Sequence, residues 1–206
     1  MSEQLRARNE IFLVDDDPSV RDALTMIFTF ERFSVRSFAE GASFVEAARE
    51  RVPDAVLLDI QMPGWSGLEV LREIDAPRYP APIFIVSGQG DIPMAVDAIK
   101  RGAVDFIEKP FDAETVVSRV RGAVRQLEER GLADKRELPA RLFRGRDRLT
   151  PRERQVLGEI AAGASNKEAG SHLHISPRTV EVHRARIMEK LAAKNAADLV
   201  RIVFTG

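Results

Sequence analysis

Apolar and β-branched residues gather in five short runs along the first 127 positions: EIFLVDD (10–16), FSVRSF (33–38), DAVLLD (54–59), PIFIVSG (82–88) and VDFIEKP (104–110). Between them lie stretches with helical spacing, about 19–30, 41–50, 67–74, 93–101 and 114–128. Strand–helix alternation predicts a parallel sheet with helices on both faces. The runs at 56–58 and 83–86 are apolar without alternation, as strands buried on both faces should be. The expected architecture is therefore α/β, a doubly wound five-stranded parallel sheet.

From position 148 the pattern is helical only. LTPRERQVLGEIAAG carries a capping box, Thr150 with Glu153, and Pro151 at the first helical position. Val156, Leu157, Ile160 and Ala161 form its apolar stripe, and Gly163 ends it. SNKEAGSHLHI repeats the design with Ser165 and Glu168, and SPRTVEVHRARIMEKL opens on Ser176-Pro177 with Val180, Ile187 and Leu191 on one face. A fourth helix is expected from about Ala196 to Phe204. The short turn near His174–Ser176 gives the second and third helices the spacing of a helix-turn-helix. Arg178, Glu181, Arg184 and Ala185 face away from the third helix's apolar stripe. Such a face can set cations near phosphates and short or charged side chains near base edges.

Residues 128–147, EERGLADKRELPARLFRGRD, read as an exposed, partly helical linker with Leu142 and Phe143 as anchors. The expected organisation is thus a first domain over 1–127, a linker over 128–147 and an all-α unit over 148–206. Charge sharpens the division. The formal net charge of −1 hides an acidic front (15 Lys+Arg against 21 Asp+Glu in 1–127) and a basic tail (10 against 6 in 148–206, with all three histidines). A basic tail suits a nucleic-acid partner. There is no Cys in the 206 residues, which excludes disulfides and thiolate metal sites and fits a reducing cytoplasm. No apolar stretch approaches the roughly 20 residues of a bilayer span, and MSEQLRARNE lacks the apolar core of a signal peptide; a cytoplasmic location without a membrane partner is expected.

Polar groups collect at the strand ends of the first part. Asp15 and Asp16 end the first strand, Asp59 the third, Ser87 the fourth and Lys109 the fifth. In an open α/β sheet, ligands bind outside the carboxyl ends of the strands. Neighbouring carboxylates repel each other unless a cation neutralises them. Oxygen ligands without His or Cys point to a hard cation, Mg²⁺ above all. Such an ion offsets the repulsion between a carboxylate and an incoming phosphoryl group, while Lys109 and Ser87 offer donors to phosphoryl oxygens. The set describes Asp59 as a carboxylate nucleophile that accepts a phosphoryl group. Asp17, followed by Pro18, reads as a helix start.

LVDDD, LLDIQMP, IVSGQG and DFIEKPF closely resemble the four signature segments of response-regulator receiver domains, over about residues 9–127, with SGQGDIPMAVDAIKRGAVDFIEKPF similar to the FixJ branch. The tail, through LTPRERQVL, NKEA and SPRTVEVHRARIMEKL, resembles LuxR-type DNA-binding domains. The resemblance implies a flavodoxin/CheY-like receiver fold followed by a helix-turn-helix bundle. It implies phosphorylation at Asp59 by a sensor histidine kinase, Mg²⁺ held by Asp16, Asp59 and the Gln61 backbone carbonyl with help from Asp15, and phosphoryl oxygens held by Ser87 and Lys109. Ser87 and Phe106 occupy the switch positions, and the Lys109–Pro110 bond is expected to be cis. Lys167, Arg178, Thr179, Glu181, Val182, His183, Arg184 and Arg186 are the expected DNA contacts. Phosphorylation would promote dimerisation through the face at about 93–110 and binding to double-stranded promoter DNA, with RNA polymerase a further partner. The chain would catalyse its own phosphoryl transfer and hydrolysis without being an enzyme by purpose. The tail departs from the pattern at Ala169-Gly170, where Gly170 is expected to cost up to about 1 kcal/mol in a helix interior.

Two other readings stay open on the residues. Asp15-x-Asp17 also opens the motif of haloacid-dehalogenase-type phosphatases, which would make Asp15 the nucleophile. A receiver acting without phosphorylation would be a constitutive DNA-binding or scaffold protein.

Overall fold

The computed structural model describes residues 9–88, 92–133, 146–195, 198–199 and 201–202. Five strands form one parallel sheet: β1 (Glu10–Val14), β2 (Ser34–Phe38), β3 (Ala55–Asp59), β4 (Ile83–Ser87) and β5 (Asp105–Glu108). Their order is β2-β1-β3-β4-β5. The chain therefore reverses its direction of progress between β1 and β3, and a crevice opens at that switch point. β3 and β4 are buried along their whole length, as their unbroken apolar runs require.

Helices α1 (Pro18–Phe30), α2 (Gly41–Glu50), α3 (Gly67–Glu73), α4 (Ile92–Lys100) and α5 (Ala113–Ala133) cover the sheet. One core lies under α2, α3 and α4 and is built on Phe12, Leu58, Ile85, Val70 and Ile99. The other lies under α1 and α5 and is built on Leu13, Leu57, Phe84, Leu24 and Val120. Alternation along each strand divides its residues between these two layers. Phe12, Phe38 and Phe44 meet edge to face inside the first layer.

The tail holds α6 (Pro151–Ala161), α7 (Asn166–Leu173) and α8 (Pro177–Leu191). Thr150 and Ser165 form the capping boxes that the sequence implies, and Ser176 caps α8. Asp198, Leu199, Arg201 and Ile202 are helical, in line with a fourth helix, the rest of which lies outside the described residues. Leu149, Val156, Leu157, Leu173, Val180 and Ile187 make a third core. Helix α5 runs to Ala133, so the first part of the linker is helical. The expected anchors Leu142 and Phe143 lie outside the described residues.

Gly170 has a different meaning from the one its helix propensity suggests. A Cβ there would lie 2.8 Å from the Ile175 carbonyl oxygen and 3.3 Å from the Pro177 nitrogen. The turn between α7 and α8 closes directly over this residue, and the Ile175 N–H donates to the Gly170 carbonyl at 3.0 Å. A side chain at Gly170 would have to displace this turn.

Candidate functional site at the strand ends and its link to the tail

Asp15 follows β1, Asp59 ends β3, and these strands are neighbours. Oxygens of Asp15, Asp16 and Asp59 all lie within 4.8 Å of one another. Asp15 and Asp59 are buried, whereas Asp16 is exposed. Lys109 reaches the pair from the far side of β4, with Nζ 2.8 Å from Asp15 Oδ2 and 3.3 Å from Asp59 Oδ1. Its backbone N–H is anchored on the Ser87 carbonyl at 2.7 Å, and its bond to Pro110 is cis as expected. Ser87 is buried at the end of β4.

Burial pushes the Asp59 carboxyl up to about 6, with the Asp15 charge adding to the rise and Lys109 opposing it. Burial alone would lower the Lys109 ammonium, but its hydrogen bond to Asp15 and the charges of Asp59 and Asp15 prevail and hold it above its ordinary value. The cluster is thus short of positive charge: one ammonium faces three carboxylates. A hard cation on the Asp15, Asp16 and Asp59 oxygens fits that deficit. Gln61, expected to contribute its carbonyl, is exposed two residues past Asp59.

Asp17 is the N-cap of α1 and accepts from the Ser19 N–H at 2.8 Å. It serves the helix as a cap, the role that its place before Pro18 implies. Two residues that the motifs do not mark also shape the site. Arg21 Nη1 donates to the Asp15 carbonyl at 2.7 Å. Gly67 lets α3 begin directly against the backbone of Asp59 and Ile60.

The tail is packed on the receiver-like domain through α8. Thr179, fully buried, donates a short hydrogen bond to Asp105 Oδ1, and the Ser176 N–H donates to Asp105 Oδ2 at 3.2 Å. Arg119 of α5 donates to the same carboxylate at 3.1 Å and to the Phe106 carbonyl at 3.2 Å. Burial raises the Asp105 carboxyl above its usual range, opposed by Arg119 and Thr179. Val182 packs against the core under α4, and the half-buried Phe106 packs against the same core. Arg186 donates to the Ile99 carbonyl at 3.3 Å.

The expected DNA contacts therefore divide between two faces. Lys167, Arg178 and Glu181 are exposed and Arg184 is half-buried, bonded to Asn166 at 3.4 Å. Thr179, Val182, His183 and Arg186 lie on the side turned to the first domain. Asp105 and Ser176 open two of the quoted segments, but no motif pairs them across the domains, and Arg119 lies outside every segment. The available signal was an acid inside a strand whose neighbours are apolar.

Comparison with known proteins finds two family matches along the chain. Residues 11–121 match the family described as response regulator receiver domain, and residues 147–203 match bacterial regulatory proteins, luxR family. The chain is 39% identical over 199 residues to the transcriptional regulatory protein FixJ of Bradyrhizobium diazoefficiens, covering 96% of each. It is 37% identical to the response regulator protein TodT of Pseudomonas putida, covering 93% of this chain and 84% of that one. Among solved structures, full-length FixJ from B. japonicum superposes with a TM-score of 0.58 at 38% identity, covering 95% of this chain and 96% of that one. The response regulator StyR gives 0.55 at 35% identity, covering 97% and 100%. Among the described residues no helix is long and apolar enough to cross a membrane.

Proposed function

Since the chain belongs to the response regulators that join a receiver to a luxR-family DNA-binding unit, a DNA-binding transcriptional regulator paired with a histidine kinase, we propose that Asp59 is its phosphoacceptor and that phosphorylation releases the tail. An Asp59 carboxylate oxygen attacks phosphorus, the new O–P bond forms, and the phosphohistidine N–P bond breaks with its electron pair left on the kinase imidazole. Asp15, Asp16, Asp59 and the Gln61 carbonyl would hold Mg²⁺, which supplies the charge that lets a carboxylate and a phosphoryl group approach. Lys109 is placed to follow the phosphoryl oxygens, since its ammonium already bridges Asp15 and Asp59. Ser87 and Phe106 are the groups that relay the change, one as donor to the added dianion and one as the aromatic beside the α8 contact. The same site turns over its own phosphoryl group, which makes the protein a self-catalysing switch rather than an enzyme by purpose.

The observation that carries the gate is the position of α8. It covers the α4 and β5 region at about 93–110, the surface assigned above to dimerisation, with Val182 and Arg186 set against it. Closure and dimerisation then exclude one another, and closure hides part of the recognition helix until phosphorylation. Released tails of a dimer address two half-sites, through effective concentration, with RNA polymerase as the next partner at a promoter in the cytoplasm.

The test is sedimentation and DNA-shift measurement with and without acetyl phosphate, for the parent and Asp59→Asn. The expected result is a phosphodonor-dependent dimer with tighter DNA binding, both lost in Asp59→Asn. Equal DNA affinity with and without phosphodonor rejects the gate, and peptide mapping of label to Asp15 rejects Asp59 as acceptor.

A further inference from the structure

The N-terminus of α8 already holds an anion. Asp105, completely buried, comes from the other domain and places both carboxylate oxygens on donors of this helix: Oδ1 on the Thr179 hydroxyl and Oδ2 on the Ser176 N–H. The helix is 15 residues long, and its aligned peptides favour negative charge at this end. Ser176 Oγ accepts from the Thr179 N–H at 3.0 Å and lies 2.8 Å from Thr179 Oγ1. A proton from Ser176 therefore leaves the Thr179 hydroxyl hydrogen free to point outward at the anion. Arg178 is exposed on the first turn of the helix, between Ser176 and Thr179 in sequence.

The donors belong to the recognition helix of a DNA-binding unit, yet in the closed arrangement they serve the receiver. A carboxylate and a phosphodiester make the same demand on them: two oxygens, one net charge, N–H and O–H donors in a fixed fork. We infer that the Ser176 N–H and Thr179 hydroxyl form a DNA-phosphate site on α8 and that Asp105 occupies it as an internal stand-in, so that receiver and DNA backbone compete for the same two donors. The inference rests on the gate proposed above and names the group that enforces it.

Arg119 completes the device. It bonds Asp105 and the carbonyl of Phe106 together, so that the stand-in is tied to the strand that carries Phe106 and leads to Lys109. A shift of β5 on phosphorylation moves the carboxylate away from α8. The vacated donors then accept a phosphate. The carboxylate, left with Arg119, stays paired.

The competition is tested on full-length protein with a short mixed-sequence duplex at low salt, since phosphate contacts do not depend on base sequence. Asp105→Asn keeps the shape and removes the charge; without phosphodonor it should bind the duplex about tenfold tighter than the parent, the scale of one charge-assisted hydrogen bond. Gly122→Leu opens the interface by another route, because a Cβ at Gly122 would lie 2.3 Å from Cγ of His174. It should also bind tighter, while Asp105→Asn added to it brings no further gain. Thr179→Val in the Gly122→Leu background should lose about tenfold, with no release of the receiver to offset the loss. Parental affinity in Asp105→Asn, beside tighter binding in Gly122→Leu, removes Asp105 as the competitor. Unchanged affinity on adding Thr179→Val removes the hydroxyl as a phosphate donor. If the parent itself binds equally with and without acetyl phosphate, it is the gate that fails, a result separable from the other two.

Discussion

Gly67 lies under Asp59: a Cβ built on Gly67 would sit 2.4 Å from the Asp59 carbonyl oxygen and 2.9 Å from the Ile60 Cα. The contact is backbone against helix start, so no side chain can swing away to relieve it. The Gly67 N–H donates to the Ile60 carbonyl at 3.0 Å, and the Ser66–Glu69 capping box fixes where α3 begins. Gly67→Ala should therefore push the end of β3 and displace the proposed acceptor. The expected outcome is a loss of about 1–3 kcal/mol in stability together with a slower rate of labelling by acetyl phosphate. Labelling at the parental rate would show that the Asp59 backbone is less constrained than this contact requires.

Gly170→Ala is a test of the same kind in the tail, with a sign opposite to that of helix propensity. In an exposed helix the change would gain up to about 1 kcal/mol. Here the new methyl group meets the Ile175 carbonyl oxygen at 2.8 Å. The expected outcome is destabilisation of about 1–3 kcal/mol, seen in urea unfolding of the full-length protein. A midpoint raised by the substitution would mean that the turn yields freely.

The contrast at Gly170 marks what a linear pattern can carry. Strand runs, helix spacing and caps are local signals, and every β-strand and described α-helix falls where they point to within a few residues, save that α5 runs on to Ala133. The acids, the serine and the lysine at four strand ends were legible because an open parallel sheet sends those ends to one rim. The union of the two domains was not. Asp105 reads as an acid at the start of a strand, and its partners Ser176 and Thr179 lie 71 and 74 positions away. The stripe of Thr179, Val182, His183 and Arg186 is mostly polar, so it reads as a face for solvent or DNA. Only packing shows that it meets the receiver. Backbone closeness, as at Gly67 and Gly170, leaves no periodic trace at all.

Asp59 itself should be a stability liability without a cation. Its carboxyl is pushed up to about 6 by burial, with Asp15 contributing, so at neutral pH the folded state carries a charge it disfavours. Asp59→Asn removes that charge while leaving Lys109 its 2.8 Å contact with Asp15. In EDTA at neutral pH the variant should melt a few degrees above the parent. Adding Mg²⁺ should raise the parent more than the variant and narrow the difference. A variant that melts below the parent in EDTA would place the strain elsewhere.

His183 should give the protein an acid-sensitive step. The ring is buried on α8, where burial first and the Arg152 guanidinium of α6 second lower its pKa to about 4. The Val104 carbonyl of the receiver and Glu153 of α6 oppose the shift, and Arg186 on its own helix adds to it. The folded-state pKa thus lies below the ordinary value of about 6.5. The stability that depends on neutral His183 is complete above that ordinary value and is lost as pH falls from it toward 4. At pH 5 the unfolded chain is protonated at this residue while the folded chain resists, which amounts to about 2 kcal/mol of lost stability. The Asp59 carboxyl, pushed up to about 6, titrates over an overlapping range, so the informative quantity is the difference between parent and His183→Gln. Between pH 7 and pH 5 the parent should lose more of its unfolding free energy than the variant, by about that amount. Parallel pH profiles would show that the ring is not held neutral by its surroundings.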